Sequence, residues 1–228
     1  SDYRPTLGFV TRRNYRRVEP QIRFSPRPES IDWIRSLSFS AQFRNQSQLG
    51  TGILEEREWD FTVLGIGFES GDNINFSAKR TYEYLDFGYE VSEGIAIEPG
   101  EYTNWEYAAR GGTSGRRRVS VFGGITRSGF WSGTRTNFGG RITFRPNPGV
   151  SIGTNLQINK VDLPQGSFDA NLYEIETDWN PNPWVSMTGQ VRYDDQTQLI
   201  GLFARLRWIV KPGNDIFLVY THNWQNLG

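Results

Sequence analysis

The sequence contains no cysteine, and it has one histidine and one methionine in 228 residues. The lack of cysteine excludes disulfides, cysteine–zinc sites and thiol catalysis. The formal net charge is 0, so the chain lacks the basic excess that a nucleic-acid-binding surface requires. No run of eighteen apolar residues occurs, which excludes a membrane-spanning helix, and no segment has a convincing helical pattern. These absences leave β-strands as the predicted elements.

Aromatic residues and glycine are abundant, with 8 Trp, 10 Tyr, 15 Phe and 25 Gly. The mean hydropathy of −0.57 is that of a soluble protein. Strands that alternate polar and apolar residues nevertheless hide a membrane-facing side from such averages. The chain begins at Ser1 without methionine or a signal peptide, which predicts a mature form or a fragment.

The segment from Leu199 to Tyr220 shows the pattern most clearly. Five apolar residues alternate with polar or cationic ones, so one face of an extended strand is apolar. The turn-forming sequence 211–215, Lys-Pro-Gly-Asn-Asp, is followed at once by a second extended run from Ile216. The segment therefore predicts a β-hairpin. The alternating apolar residues are Ile200, Leu202, Ala204, Leu206 and Trp208.

The same alternation predicts about twelve strands along the chain. In the strand at 57–69, the residues around Leu64, Ile66 and Phe68 are apolar on both faces, which favours a β-bulge there. A tight turn at 70–73 is predicted before the next strand. The predicted strands are 14–25, 36–44, 57–69, 73–85, 103–112, 117–127, 135–145, 149–160, 169–179, 184–193, 198–209 and 215–224.

The predicted connections differ at the two ends of the strands. Those at 145–149, 180–183 and 211–213 are tight and rich in proline, whereas those at 86–102, 128–134 and 161–168 are longer and polar. Outer-membrane barrels have short periplasmic turns and longer outer loops, so we place the proline-rich end at the periplasm. The tryptophans fall at strand ends, as interfacial girdles require. Trp33, Trp179, Trp184 and Trp208 lie at the proline-rich end, and Trp59, Trp105, Trp131 and Trp224 at the other.

We therefore predict an all-β fold, an antiparallel transmembrane β-barrel in the outer membrane of a diderm bacterium, whose partner is the lipid bilayer. Residues 1–228 would form one barrel domain. The alternative is a soluble β-sandwich or a propeller fragment, which would more often place several tryptophans in its core.

Charged residues on the polar face predict a ladder inside the barrel. Regular hairpins would place Asp178 opposite Ser186 and Glu176 opposite Thr188. Two interpretations remain open: a salt-bridge ladder that stabilises the wall, or a charged constriction that selects permeants. The ladder residues are Arg141, Arg145, Glu174, Glu176, Asp178, Arg205 and Arg207. The predicted rungs are Arg145–Ser151–Asp178–Ser186–Arg207, Glu176–Thr188–Arg205 and Arg141–Asn155.

Other candidate sites are weak. His222 lacks an obvious nucleophile nearby, so we expect an interfacial or loop-facing residue rather than a catalytic one. The basic run 116–118 is too short to indicate nucleic-acid binding. We expect no enzymatic activity, no catalytic residues, no metal site and no cofactor. The acids of the longest loop could bind calcium but are expected to be solvated; they are Asp86, Glu90, Glu93, Glu98 and Glu101.

Several short motifs resemble one family over nearly the whole chain. The most specific are Leu206-Arg207-Trp208 and the segment Lys211–Tyr220; weaker ones lie at 8–10, 24–28, 99–102 and 162–166. The chain resembles the C-terminal β-barrel domain of large envelope proteins, the domain of unknown function 5916 family. In that family the barrel follows a carbohydrate-binding-like β-sandwich. The resemblance implies that an N-terminal module, the first strands and a final strand are missing here.

These observations predict a pore or uptake channel, and the resemblance implies saccharides as its transported solutes. The first alternative is a non-conducting structural anchor or subunit of a cell-envelope complex. A barrel hydrolase that uses His222 is the weaker alternative.

Overall fold

The computed structural model describes residues 15–92 and 94–225. This part of the chain contains no helix, and therefore none that is long and apolar enough to cross a membrane. The motif at 8–10, the predicted loop 1–13 and the end at 226–228 lie outside the described residues. The strands are β1 (Tyr15–Val18), β2 (Gln21–Phe24), β3 (Ile34–Gln48), β4 (Leu54–Phe68), β5 (Asn73–Leu85), β6 (Tyr89–Ser92), β7 (Ile95–Ile97), β8 (Gly100–Gly112), β9 (Val119–Phe130), β10 (Gly133–Phe144), β11 (Val150–Leu163), β12 (Gly166–Asn182), β13 (Val185–Asp194), β14 (Leu199–Lys211) and β15 (Asn214–Gln225).

Thirteen of these strands form one antiparallel sheet in the order β1-β3-β4-β5-β8-β9-β10-β11-β12-β13-β14-β15, with β2 also paired to β3. Strands β6 and β7 form a separate two-stranded sheet. The all-β antiparallel prediction is therefore confirmed. The sheet is not closed in the described residues, because β15 pairs with β14 alone and β1 and β2 pair with β3 alone.

The prediction of one strand over 14–25 is wrong, because the segment divides into β1 and β2 at Glu19-Pro20. Proline has no backbone N–H and cannot donate to the ladder, so pairing stops there. Both halves still pair with β3. The Pro20 carbonyl keeps the segment attached to β3, since it accepts a 3.0 Å hydrogen bond from the Phe43 amide.

The predicted loops at 128–134 and 161–168 are also wrong. Phe130 pairs with Gly133 and Leu163 with Gly166, so each connection is a two-residue turn. Trp131 adopts a positive φ of 49°, which allows its turn to close tightly despite the bulky side chain. The predicted contrast in loop length therefore rests mainly on the connection between β5 and β8.

That connection differs from a plain loop of residues 86–102. It contains the hairpin β6–β7, and β8 already begins at Gly100. The bulge predicted in the strand at 57–69 is confirmed, because the register with β5 shifts between Thr62 and Leu64. The turn before β5 is also confirmed, with Gly71 at a φ of 83°.

Each strand of the large sheet has one apolar and one polar face, as the alternation predicts. On β14 the residues with even numbers from Ile200 to Trp208 form the apolar face, and Arg205 and Arg207 lie on the polar face. The apolar face is exposed, with Ile175 at 52%, Trp208 at 50% and Leu218 at 67%. No second layer covers this face in the part of the chain that the structure describes.

The total accessible surface supports the same conclusion. It is 15603 Å², whereas a compact monomer of this mass would expose about 10600 Å². Among the described residues the buried hydrophobic core is limited to six: Ile34, Ile95, Ile97, Ala108, Val161 and Leu163.

The apolar face has a defined height in the middle of the sheet. On β11 it runs from Val150 to Ile158 and is followed by Lys160 and Asp162. The residues beside Lys160 on the neighbouring strands are Thr136 and Asp169, so a polar row bounds the apolar belt. A belt of about nine residues is the length that a membrane-crossing β-strand needs.

Candidate functional site: the polar face of the sheet

The predicted ladder residues of β10, β12 and β14 lie on the polar face, where the register arranges them in rows across the strands. Ser151 pairs with Asp178, and Arg141 pairs with Asn155, as predicted. The register also places Thr188 opposite Arg205 and Ser186 opposite Arg207. These four pairings are confirmed.

Two rungs between β12 and β13 are wrong by two residues. Asp178 lies opposite Thr188 instead of Ser186, and Glu176 lies opposite Gln190 instead of Thr188. The cause is a register shift between Trp179 and Asn182. Residues 181 and 183 are prolines, which cannot donate to the ladder, so the strand bulges before it turns.

The two ends of the predicted ladder also differ from expectation. Arg145 follows the last residue of β10 and donates a 3.1 Å hydrogen bond to Ser120 on β9, away from Ser151. Arg207 forms a 2.6 Å ion pair with Asp215 on β15 instead of reaching Asp178. Sequence spacing alone missed both partners, because each guanidinium turns to the strand on its other side.

The centre of the ladder is an ion pair between Arg141 and Glu176, at 2.9 Å. The neighbouring Glu174 accepts hydrogen bonds of 2.7 Å from both Asn155 and Gln190. The side chains of Arg141 and Glu176 are 44% and 31% exposed. Ion pairs with that exposure contribute at most about 1 kcal/mol each, so they do not by themselves explain why the face is charged.

A second charged cluster on the polar face was not predicted. Arg44 of β3 contacts Glu19, Glu56 and Glu58, and Lys79 of β5 lies 3.9 Å from Glu58. The signal that could have identified it is the alternation of acids at 56, 58 and 60 opposite Arg44. It requires the register between β3 and β4, which three shifts make irregular.

The β6–β7 hairpin was not predicted either, and it lies against the polar face. Ile95 and Ile97 form a buried cluster with Val161 and Leu163 of β11. Side chains from β5, β8, β9 and β12 pack against this cluster, so it draws together the ends of several strands. The packed side chains are Leu85, Val91, Tyr102, Phe130, Trp131 and Phe168.

At the proline-rich end, Asp72 joins two neighbouring turns. It accepts hydrogen bonds of 2.8 Å from the Ser114 amide and from the Arg117 guanidinium. The backbone bond from Ser114, helped by Ser70 and by the charge of Arg117, lowers the pKa of the Asp72 carboxyl below its ordinary value of 3.8. Gly71 lies so close that a Cβ there would be 2.9 Å from the Ser114 hydroxyl.

Most of the tryptophans lie within a few residues of a strand end, as predicted, but Trp59 and Trp105 are each the sixth residue of their strand and lie well inside it. Trp59 and Trp105 flank Arg80 in one row across β4, β5 and β8, and Trp33 stacks on Phe68 at the opposite end. Trp131 differs, because it packs against the buried hairpin cluster. The other seven are between 41% and 61% exposed; they are Trp33, Trp59, Trp105, Trp179, Trp184, Trp208 and Trp224.

The remaining candidates have simple surroundings. His222 lies on the apolar face between Tyr220 and Trp224 and opposite Leu202, which offers no nucleophile for hydrolysis. Within the described residues, no three acidic or histidine side chains are grouped so that they could hold a metal ion. In the predicted acidic loop, Glu90 accepts a 2.6 Å hydrogen bond from the Gly94 amide, and Glu93 lies outside the described residues.

Comparison with family models, curated proteins and solved structures finds no match for this chain.

Proposed function

We propose that this chain forms part of the wall of an outer-membrane β-barrel, with its apolar face against lipid and its polar face lining a pore. The observation that carries the proposal is the exposed apolar belt, which spans about nine residues on β11, opposite a charged face. In a soluble protein, such a face would be a large aggregation hazard. In a membrane it is the surface that lipid covers.

The polar face supports a conducting lumen. Its residues are charged or amidic along β10 to β14, and the ion pair of Arg141 with Glu176 is partly exposed to solvent. Charged side chains of this kind set the ionic selectivity of wide pores. The ladder then acts as a selectivity element and stabilises the wall as a secondary effect.

Single-channel recording in planar bilayers tests the proposal, with the full-length protein and two matched variants. Arg141→Gln leaves Glu176 without its cation, so the current should become more cation-selective. Arg127→Gln removes the same charge from the apolar-face side of β9, where Arg127 donates to Thr136. Its selectivity should equal that of the wild type, and a shift of equal size in both variants would contradict the assignment of the two faces.

A non-conducting anchor or subunit of an envelope complex is the second candidate. It is favoured by the β6–β7 hairpin, which lies over the polar face and occupies space that permeants would need. If the protein inserts into the bilayer and carries no current, the result would support the anchor function. Current that increases when residues 89–97 are replaced by a short glycine–serine linker would indicate that the hairpin narrows a pore.

The resemblance to the domain of unknown function 5916 family agrees with an outer-membrane location in a diderm bacterium. Saccharide uptake belongs to the proposal through that resemblance alone. A barrel hydrolase is not favoured, because His222 lies among aromatic and aliphatic side chains.

A further inference from the structure

The sheet opens into a fork between β8 and β9. Their pairing ends at Glu106 and Ser128, although β8 stays paired with β5 as far as Gly100 and β9 with β10 as far as Phe130. The Asn104 side chain fills part of the fork and packs on Gly129, where any Cβ would collide with it. The two halves of the sheet therefore separate at this end and leave a cavity between them.

The cavity has a volume of about 160 Å³, which is the space of about five water molecules. It is too small for a polymer and large enough for one small solute. Polar groups and aromatic rings line it together. Its polar lining residues are Thr81, Glu83, Asn104, Glu106, Ser128 and Arg135, and its aromatic ones are Tyr102, Phe130 and Trp131. Trp105 also borders it, but its ring stacks on Tyr107 on the apolar face of β8.

Two polar atoms beside this cavity are buried without a partner. Ser128 is 6% exposed, and neither its Oγ nor the Nε of Arg135 has a hydrogen-bond partner among the described residues. The two residues are direct cross-strand partners on the polar face, so their Cβ atoms are about 5 Å apart. Buried donors left unpaired are costly, and a ligand that displaces the side chains covering them and accepts from both would remove the cost.

The charges of the cavity have a defined order. The register places Glu106, Ser128 and Arg135 in one row across β8, β9 and β10, with the hydroxyl between the carboxylate and the guanidinium. Neither Glu106 nor Arg135 takes part in an ion pair of the described residues. Lys79, the other neighbour of Glu106, lies 3.9 Å from Glu58. The row thus offers a cationic and an anionic group that do not neutralise each other.

This order points to a ligand with two opposite charges. A carboxylate would accept from the Arg135 guanidinium and the Ser128 hydroxyl, which are strong, charge-assisted partners. An ammonium group would donate to Glu106. A neutral polyol would leave both charges of the protein without a counter-charge, and a simple anion would be repelled by the carboxylates of the cavity.

The aromatic wall defines the rest of the ligand. The Arg135 guanidinium lies over the Phe130 ring, 5.2 Å from its centroid, which holds the charge at the edge of an apolar surface. Tyr102 and Trp131 complete that surface. We propose that the fork binds a free α-amino acid with a small or medium apolar side chain.

The hairpin is the cover of this site. Tyr102, Phe130 and Trp131 belong both to the cavity wall and to the side chains packed on Ile95 and Ile97. The Tyr102 hydroxyl also donates a 2.7 Å hydrogen bond to the Glu98 carbonyl, just after β7. Release of the hairpin would therefore loosen the aromatic wall.

Isothermal titration of the detergent-solubilised full-length protein tests the site with ligands of matched size. We expect saturable binding of L-valine, and binding at least about tenfold weaker for L-valinamide, which lacks the carboxylate, and for isovalerate, which lacks the ammonium group. Equal binding of all three, tighter binding of D-glucose, or no binding of L-valine would overturn the proposal. These comparisons use the wild-type protein and do not depend on the folding of a variant.

Two variants then locate the site. Arg135→Gln and Glu106→Gln should each weaken L-valine binding at least about tenfold, whereas Arg127→Gln, on the other face of β9, should bind as the wild type does. Equal affinity in all three would place the ligand elsewhere. The site depends on the proposed pore only for the route by which the solute arrives. Binding of L-valine without ion current would contradict the proposed pore and support the proposed site. Ion current without binding of L-valine would support the pore and contradict the site.

Discussion

Replacement of Ile175 by arginine distinguishes a lipid-facing sheet from a water-facing one, because the two environments predict different costs. Ile175 lies on the apolar face of β12, beside Thr154 and Val191 and well inside the apolar belt, and it is 52% exposed. On a water-exposed surface, the change would alter the free energy of unfolding by about 0.5 kcal/mol or less. In the middle of a bilayer, an arginine on the lipid face of a barrel costs about 2–4 kcal/mol.

Two further substitutions separate the effect of charge from the loss of the side chain. Ile175→Ala truncates an apolar side chain of which about half is exposed. Transfer of that exposed half between water and lipid corresponds to about 1 kcal/mol. Ser167→Arg introduces the same charge on the same face of β12, eight positions away and beyond the polar row. Near the interface, the expected cost is about 0–1 kcal/mol.

Reversible urea unfolding in lipid vesicles, followed by tryptophan fluorescence, measures these differences. The expected order of destabilisation is Ile175→Arg above Ile175→Ala, with Ser167→Arg smallest or equal to the latter. A cost for Ile175→Arg within about 0.5 kcal/mol of zero would refute the proposal that this face meets lipid.

Two other predictions concern the ends of the sheet. At the proline-rich end, Asp72→Asn should destabilise the protein at about pH 7. Because the pKa of Asp72 is lowered in the folded protein, its contribution to stability is present above 3.8 and lost as the pH falls below that value. The difference in stability between variant and wild type should therefore vanish at low pH. Urea unfolding midpoints measured as a function of pH test this prediction. Glu69→Gln, which removes a charge from the same turn, is the control. A difference in midpoint between Asp72→Asn and wild type that persists at about pH 2 would contradict the role of the charge. At the other end, Ile97→Ala should cost about 2–5 kcal/mol of local stability, since Ile97 is 1% exposed. Proteolysis within 86–99 should then accelerate while the sheet stays protected, and unchanged cleavage would show that the cluster does not hold the hairpin.

The turn at 70–73, the proline-rich connections and the faces of the strands were predictable because their causes are local. The alternation from Ile200 to Trp208 assigns each side chain to a face through the two-residue period of a strand. Gly71 and the prolines of the rim act on the backbone within two or three residues. The bulge near Leu64 followed for the same reason, since apolar residues on both faces cannot fit one regular strand.

The register between strands was less predictable. The rungs of Asp178 and Glu176 were misplaced by two positions, because residues 181 and 183 disturb pairing on one strand only. The segments 131–132 and 164–165 have the polar and aromatic composition of loops, yet each is a two-residue turn, and at Trp131 the turn closes through a positive φ. The amino-acid composition of a connection does not determine the backbone angle φ of its residues.

By itself, the sequence determined that this chain is all-β and antiparallel, with one apolar and one charged face, because those properties depend on neighbours along the strand. Only the tertiary structure placed the β6–β7 hairpin over the polar face and opened the fork beside Ser128 and Arg135. Both features arise where segments far apart in the sequence meet. Their energetics depend on burial and on unpaired polar groups, which no periodicity of one strand encodes.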